Sequence, residues 1–415
     1  MPKYFPIQTA TACKLKWSWS SLYLNKGTTS SCHRAGSSVI PDQFDQFHNT
    51  PTKISQRKSM LQGQWPGGGC EYCKQIEESG GTSDRMFQNQ IPGSYPVELD
   101  LDASKTEVDP AILEVFFSNT CNLGCVYCNA SFSSTIQMED QLWGNAKLPE
   151  TDFIPIENQY KNYNSKFWDW FELNSKKLKR FHILGGEPFL QKDLHRLLDF
   201  FEQEEHPELE FNIVTNLALD PKILSKPLDR LADLKSKNKI NRIDIQVSID
   251  SWDLSQEYVR HNLKLETFER NMDYIIQQNR YRIGLLSTVS SLTIHGMPAL
   301  AQKYNSWNKR HPIFWYMHLV LPDTGVFNPT IFDFDVFADS LAQTRSLLPT
   351  DTWDDKRMIE VFDGIVAKLE KNCLHNVARQ KELLEFLTIN DQRRKTSWKQ
   401  QFPWLEKVFK DNHVV

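Results

Sequence analysis

The sequence predicts an α/β fold built on a mainly parallel sheet, and three observations predict it. Short β-rich apolar runs recur through the middle of the chain, helical stretches separate them, and the pattern fades before about residue 106 and after about residue 330. Strands covered on both faces read as near-continuous apolar runs, and their alternation with helices gives β-α units with the helices outside. The runs are 112–117, 180–184, 209–214, 243–249, 282–289 and 313–320, with helical stretches at 192–204, 222–233 and 265–279 among them. Six such strands make an open, TIM-like partial (β/α)6 barrel whose strand C-terminal ends carry the chemistry.

Three domains are expected: a loop-rich segment at 1–105, the barrel at 106–330 and a helical extension at 331–415. The first is rich in Gly, Ser, Thr and Pro, as in Gly67-Gly68-Gly69 and Gly80-Gly81, and shows little amphipathic periodicity. It cannot bury a core by itself, so its four cysteines are the expected fastening. In the last segment Phe337, Leu341 and Leu347, then Met358, Val361, Phe362, Ile365 and Leu369, follow helical spacing and read as packing faces.

The 415 residues carry 48 Lys+Arg against 52 Asp+Glu, a net charge of -4. That balance excludes a protein that holds nucleic acid mainly by charge. The basic run Lys176-Lys177-Lys179-Arg180 reads as a solvated helix end. No apolar run approaches the ~20 residues of a membrane-spanning helix, and the first residues hold no apolar signal region. A soluble, cytoplasmic protein is expected. In such a compartment the eight cysteines, seven of them in the first third, point to metal binding or catalysis ahead of disulfides.

Cys121, Cys125 and Cys128 form a C-x-x-x-C-x-x-C triplet just after the first barrel strand. Three thiolates in one eight-residue loop can each hold one iron of a cubane cluster, leaving the fourth iron open for chemistry. A zinc knuckle or an incomplete ferredoxin cluster are the alternatives on spacing alone. The triplet, with aromatic Tyr127 before its last cysteine, resembles the signature of the radical SAM superfamily. The resemblance implies a catalytic [4Fe-4S] cluster whose open iron takes S-adenosyl-L-methionine, which is cleaved to a 5′-deoxyadenosyl radical.

Gly185-Gly186-Glu187-Pro188 ends the second strand and resembles that family's GGEP turn. Two glycines let backbone approach a ligand closely, and the carboxylate can accept from an ammonium, by resemblance that of the methionine moiety. Thr215 and Asn216 end the third strand where relatives have Thr-Asn-Gly, although Leu217 replaces the glycine here. Ser248 and Asp250 close the fourth strand and Arg260 follows. The resemblance implies a hydroxyl or carboxylate for the ribose and a planar guanidinium for the cofactor carboxylate.

Cys13, Cys32, Cys70 and Cys73 suit either zinc or a fully ligated cluster, and spacing does not separate these. The text around them, Met60-Leu61-Gln62-Gly63, then Cys70 and Cys73, Glu77-Glu78, Gly80 and Ser83-Asp84-Arg85, resembles twitch or SPASM-like auxiliary-cluster domains. A second [4Fe-4S] cluster is thereby implied, with residues 14–25 supplying a strand between Cys13 and Cys32. Asp391-Gln392-Arg393-Arg394 resembles the closing segment of the same relatives.

The expected activity is hydrogen abstraction from a substrate carbon, in a peptide or protein, with flavodoxin or ferredoxin as electron donor. Competing expectations are a modifier of a small molecule or nucleotide sugar, and a non-catalytic electron-transfer protein. Cys373 reads as a buried bystander. His182, His295, His311 and His318 read as structural, as do Trp315-Tyr316 and the aromatics at 167–171.

Overall fold

The computed structural model describes residues 9–32, 35–78, 83–90, 105–144, 159–320 and 325–414. Gly80 and Gly81 of the N-terminal motif lie outside these. Eleven strands are described: β1 (Trp19–Tyr23), β2 (Thr28–Ser30), β3 (Ser38–Val39), β4 (Ile112–Phe116), β5 (Gly124–Cys125), β6 (Arg180–Leu184), β7 (His206–Thr215), β8 (Ile240–Ser248), β9 (Arg260–His261), β10 (Arg282–Val289) and β11 (Ile313–Leu319). Nine of them form one sheet in the order β11-β10-β8-β7-β6-β4-β1-β2-β3. The six expected strands run parallel from β4 to β11 and the sheet does not close on itself, which makes a partial barrel.

Helices cover one face. Lys192–Gln203 buries Leu194, Leu197, Leu198 and Phe201 at the i, i+3, i+4, i+7 spacing of a single stripe. Leu265–Gln278 does the same with Phe268, Met272, Ile275 and Ile276. These stripes join one core with Leu113, Val115, Phe181, Ile183, Phe211, Ile213, Ile243 and Ile245, the alternate residues of the strands.

The other face is polar. The strand register sets Glu114, His182, Asn212 and Asp244 side by side on β4, β6, β7 and β8. One level nearer the strand starts, Arg180 and Arg242 both pair with Glu210, at 2.9 Å for Arg242. His182, read from sequence as structural, therefore faces the barrel interior, where its ring lies 5.0 Å from that of Trp19.

The segment before residue 105 does not stand apart from the barrel. β1 pairs parallel with β4 from Trp19↔Ile112 to Tyr23↔Phe116, and β2 and β3 extend the same sheet antiparallel. Leu22, Leu24, Ile40, Phe44 and Phe47 belong to the main core. A smaller second core gathers Cys13, Leu15, Trp17, Trp19, Met60, Cys70 and Ile112. In the C-terminal helices Asp335–Leu347, Trp353–Asn372, Val377–Arg394 and Pro403–Asp411 the spaced residues Phe337, Leu341, Met358, Phe362, Ile365 and Leu369 are buried in the main core, whereas Val361, expected on the same face, is exposed. Among the described residues no helix is long and apolar enough to cross a membrane.

Candidate active site

The cysteine triplet lies in the loop beyond the C-terminal end of β4, and two fixings hold it there. β5 within the loop pairs with β9, setting Cys125 opposite Arg260 and Gly124 opposite His261. On the other side Ser133, which caps helix Ser134–Trp143, donates to the Leu123 carbonyl at 2.7 Å, and the Cys121 N–H donates to Ser134 Oγ at 3.0 Å. Behind the loop Arg394 makes a bidentate pair with Glu139, at 3.0 and 2.7 Å, and lies so near Gly124 that an added Cβ would stand 2.9 Å from its guanidinium. Arg394 thus ties the loop to a helix 255 residues further along the chain than Glu139.

Burial pushes the Cys121 thiol up to about 12. It raises Cys125 and Cys128 as well, and Cys128 is raised further by its two fellow thiolates. The opposing pull comes from Arg260, whose guanidinium is 4.0 Å from the Cys125 sulfur. Thiols that resist ionisation in one another's company become thiolates together when bound metal supplies positive charge, as zinc or an iron-sulfur cluster does. Among the described residues no group of three His, Cys, Asp or Glu side chains closes on the position of a single metal ion.

Both glycines of the GGEP turn are conformationally required. Gly185 and Gly186 have φ of +85° and +56°, and a Cβ on Gly186 would meet the Thr120 carbonyl oxygen at 2.3 Å. Glu187 is fully buried and its N–H donates to that same carbonyl at 2.7 Å. Its carboxylate accepts from Thr215 Oγ1 at 2.8 Å, from the Asn216 N–H at 2.7 Å and from the Phe189 N–H at 3.2 Å. Burial outweighs these bonds and pushes its carboxyl up to about 7. Glu187 and Thr215 thereby position Asn216, whose amide reaches Asn122 Oδ1 at 2.8 Å and lies 4.0 Å from the Cys121 sulfur. Leu217, at the glycine position of the related turn, takes φ +51° all the same and is wholly buried. The left-handed turn survives the substitution because core packing holds it.

Asp250 departs from its expected place at a ribose. Both of its oxygens are engaged: Arg260 donates to them at 2.8 and 2.9 Å, the Thr288 N–H at 2.8 Å, and the Tyr127 hydroxyl completes the set. A carboxylate offers about four acceptor positions, so none remains for a diol. The structure makes Asp250 the residue that aims Arg260 and Tyr127, and the guanidinium lies 5.6 Å from the Tyr127 ring. Ser248, at the end of β8, is half-buried. Sequence reasoning missed Gln256, which accepts from the Asp250 and Ser251 N–H groups, as well as Glu139 and Asn122.

The other four cysteines belong to the opposite end of the sheet. β1 and β4 are parallel, so Cys13, just before β1, and Cys32, just after the returning β2, lie where the barrel strands begin. Lys14 feels the charge of Arg180, the first residue of β6, which agrees with that position. Cys13, Cys70 and Cys73 each feel the Cys32 thiolate, and burial raises all three, Cys13 to about 12. The surrounding motif has a mechanical meaning. Glu77 accepts from Ser83 and from both sides of Arg85, while Arg85 Nη1 donates to the Ala12 carbonyl at 2.8 Å, joining the Cys70–Cys73 helix to the Cys13 turn. Cys373 lies in neither set and contacts the Pro329 carbonyl.

The partial parallel barrel carries a three-cysteine loop over its strand ends, and the comparisons with known proteins bear on that region. Residues 115–298 match the model of the Radical SAM superfamily. Over 173 residues it is 27% identical to the radical SAM cyclopropyl synthase TigE of Paramaledivibacter caminithermalis, covering 39% of this chain and 34% of that protein. The chain thus spans about a third of that relative's length. Among solved structures it is similar to SuiB of Streptococcus suis bound to S-adenosylmethionine, with 14% identity, a TM-score of 0.37 and coverage of 73% and 62% of the two chains. It is also similar to anSMEcpe with bound AdoMet, with 12% identity, a TM-score of 0.34 and coverage of 66% of each chain.

Proposed function

We propose that this chain is a radical SAM enzyme acting on a carbon of a peptide or protein substrate, with Cys121, Cys125 and Cys128 holding the catalytic [4Fe-4S] cluster. The observation that carries the reading is the convergence of these thiols beside Arg260, Asn216 and the two left-handed glycines, all at one end of one parallel sheet. When bound, the cluster and S-adenosyl-L-methionine supply reductive carbon-sulfur cleavage and a 5′-deoxyadenosyl radical. The protein's own part is positioning. Gly185 and Gly186 let the turn pack against Phe116 and Thr120 at the start of the cysteine loop, Glu187 fixes Asn216, and Asp250 aims Arg260 at the Cys125 sulfur. Leu123 and Val126, both buried in the loop, shield the thiolates from water.

Cys13, Cys32, Cys70 and Cys73 would hold a second, closed [4Fe-4S] cluster. Their mutual approach and the Arg85 brace support it. The peptide substrate rests on the likeness of this segment to SPASM-like domains. An experiment tests the reading directly. Anaerobically reconstituted protein with dithionite and S-adenosyl-L-methionine should release 5′-deoxyadenosine, and Cys125→Ala should release none; equal product from that variant sinks the mechanism.

A further inference from the structure

Gln191 follows the GGEP turn closely but does not cap the helix it introduces. It stands at the N-cap of Lys192–Gln203 with φ -93° and ψ 136°, the backbone setting from which a Ser, Asp or Asn side chain accepts from the first turn. Gln191 makes no such bond. Its side chain reaches back instead. After the single turn Pro188–Leu190, closed by the Gln191 N–H donating to the Pro188 carbonyl at 2.9 Å, the amide Nε2 donates to the Gly185 carbonyl at 2.5 Å and reaches the Ser118 carbonyl at 3.5 Å. The residue is 2% exposed, and its Oε1 is buried with no hydrogen-bond partner among the described residues. The two carbonyls dictate that orientation, because the opposite amide flip would set Oε1 against both.

Those carbonyls belong to different segments. Ser118 lies between β4 and the cysteine triplet, just before Cys121, and Gly185 is the first residue of the left-handed turn after β6. The same segments also meet where the Glu187 N–H donates to the Thr120 carbonyl and where Gly186 packs against it. Those two contacts are made by backbone. Gln191 adds a side-chain bridge that latches the turn to the residues leading into Cys121.

We infer that Gln191 is a positioning residue for the cofactor site: its amide holds the Gly185–Gly186 turn in place against the loop of Cys121 before S-adenosyl-L-methionine binds. This rests on the radical SAM reading proposed above. A turn ordered beforehand need not be ordered by the ligand, so loss of the bridge falls on affinity, whereas at saturation the bound ligand restores the turn. Gln191 itself touches no reacting atom.

The test uses the anaerobically reconstituted full chain and the variant Gln191→Ser, whose hydroxyl can cap the helix but cannot bridge the two carbonyls. Calorimetric titration with S-adenosyl-L-methionine should give a dissociation constant about fivefold above the parent's, the change expected for one neutral hydrogen bond. In 5′-deoxyadenosine release KM should rise by the same factor while kcat stays within about twofold, with iron content equal to the parent's. Gln191→Asn, an amide one methylene shorter, should shift the affinity the same way and keeps the inference testable if Gln191→Ser does not fold. An unmoved dissociation constant in a folded, iron-loaded variant overturns the inference. So does a variant whose iron content or kcat falls together with its affinity, which marks a merely structural part. A parent that binds no S-adenosyl-L-methionine overturns the radical SAM reading instead.

Discussion

The two cysteine sets sit at opposite ends of the same strands and handle positive charge in opposite ways. At the C-terminal end Arg260 stands beside Cys125 but is balanced by Asp250, its own carboxylate. At the N-terminal end the Lys16 ammonium donates to neutral oxygens, Ser31 Oγ at 2.9 Å and Gln56 Oε1 at 2.7 Å, and its charge acts on Cys70 and Cys13. The first site is charge-satisfied by protein alone, so a ligand can come and go without disturbing the fold. Among the described residues the second has no such carboxylate, and the closed cluster proposed for its thiols would supply the missing negative charge. On that proposal one end suits turnover and the other permanent occupation.

The largest effect that could break this contrast is in metal content. Reconstituted parent should carry about eight irons per chain if both sets hold four. Cys70→Ala with Cys73→Ala should lose about half of them and also lower the melting temperature, whereas Cys125→Ala should lose iron with little change in melting. Equal loss of stability in both would erase the distinction.

Next comes the Asp250–Arg260 pair itself. Asp250→Ala strands a buried guanidinium, at a cost of ~3–5 kcal/mol measurable by urea denaturation. A loss well below that range would show the pair to be more hydrated than its geometry.

A pH effect of similar or smaller size follows from Glu187. Its carboxyl is held at about 7 against an ordinary 4.5, so between those values the folded chain keeps a proton that the unfolded chain has released. The stability this contributes is complete below about pH 4.5 and is lost as pH rises to about 7, by up to about 3 kcal/mol. Comparing denaturation midpoints across that window in parent and Glu187→Gln should show the slope in the parent only.

The smallest expected change sharpens the N-terminal side. Arg85→Met removes the half-buried bridge between Glu77 and the Ala12 carbonyl, costing about 1–3 kcal/mol. Its second cluster should also exchange iron with a chelator faster than the parent's.

Much of this was legible in the sequence because the signals are local. The six barrel strands appear as apolar runs, and the cysteine triplet and the two glycines are marked by spacing within a few residues. β1 was implied by the resemblance alone, as a strand within 14–25. Its Ser20 and Ser21 look unlike a buried strand, and their distant partners are Lys53 and His48 for Ser20 and Glu114 for Ser21, 33, 28 and 93 residues away. The exchange of roles at Asp250 was hidden for the same reason: its partner Tyr127 lies 123 residues earlier, and no local pattern announces that its oxygens are filled. Leu217 shows the converse. A departure in residue type left the backbone turn unchanged, because buried contacts overrule the propensity for glycine.

Strand β1 also bears on where this protein can be cut. A fragment trimmed to the matched residues 115–298 would lose β1, most of β4 and β11, and so expose the backbones of β6 and β10 as apolar edges to any other chain, while releasing the loop that Arg394 pins. Such a piece invites fibrous self-association, so any useful excision has to keep both the strand at residue 19 and the helix that ends at residue 394.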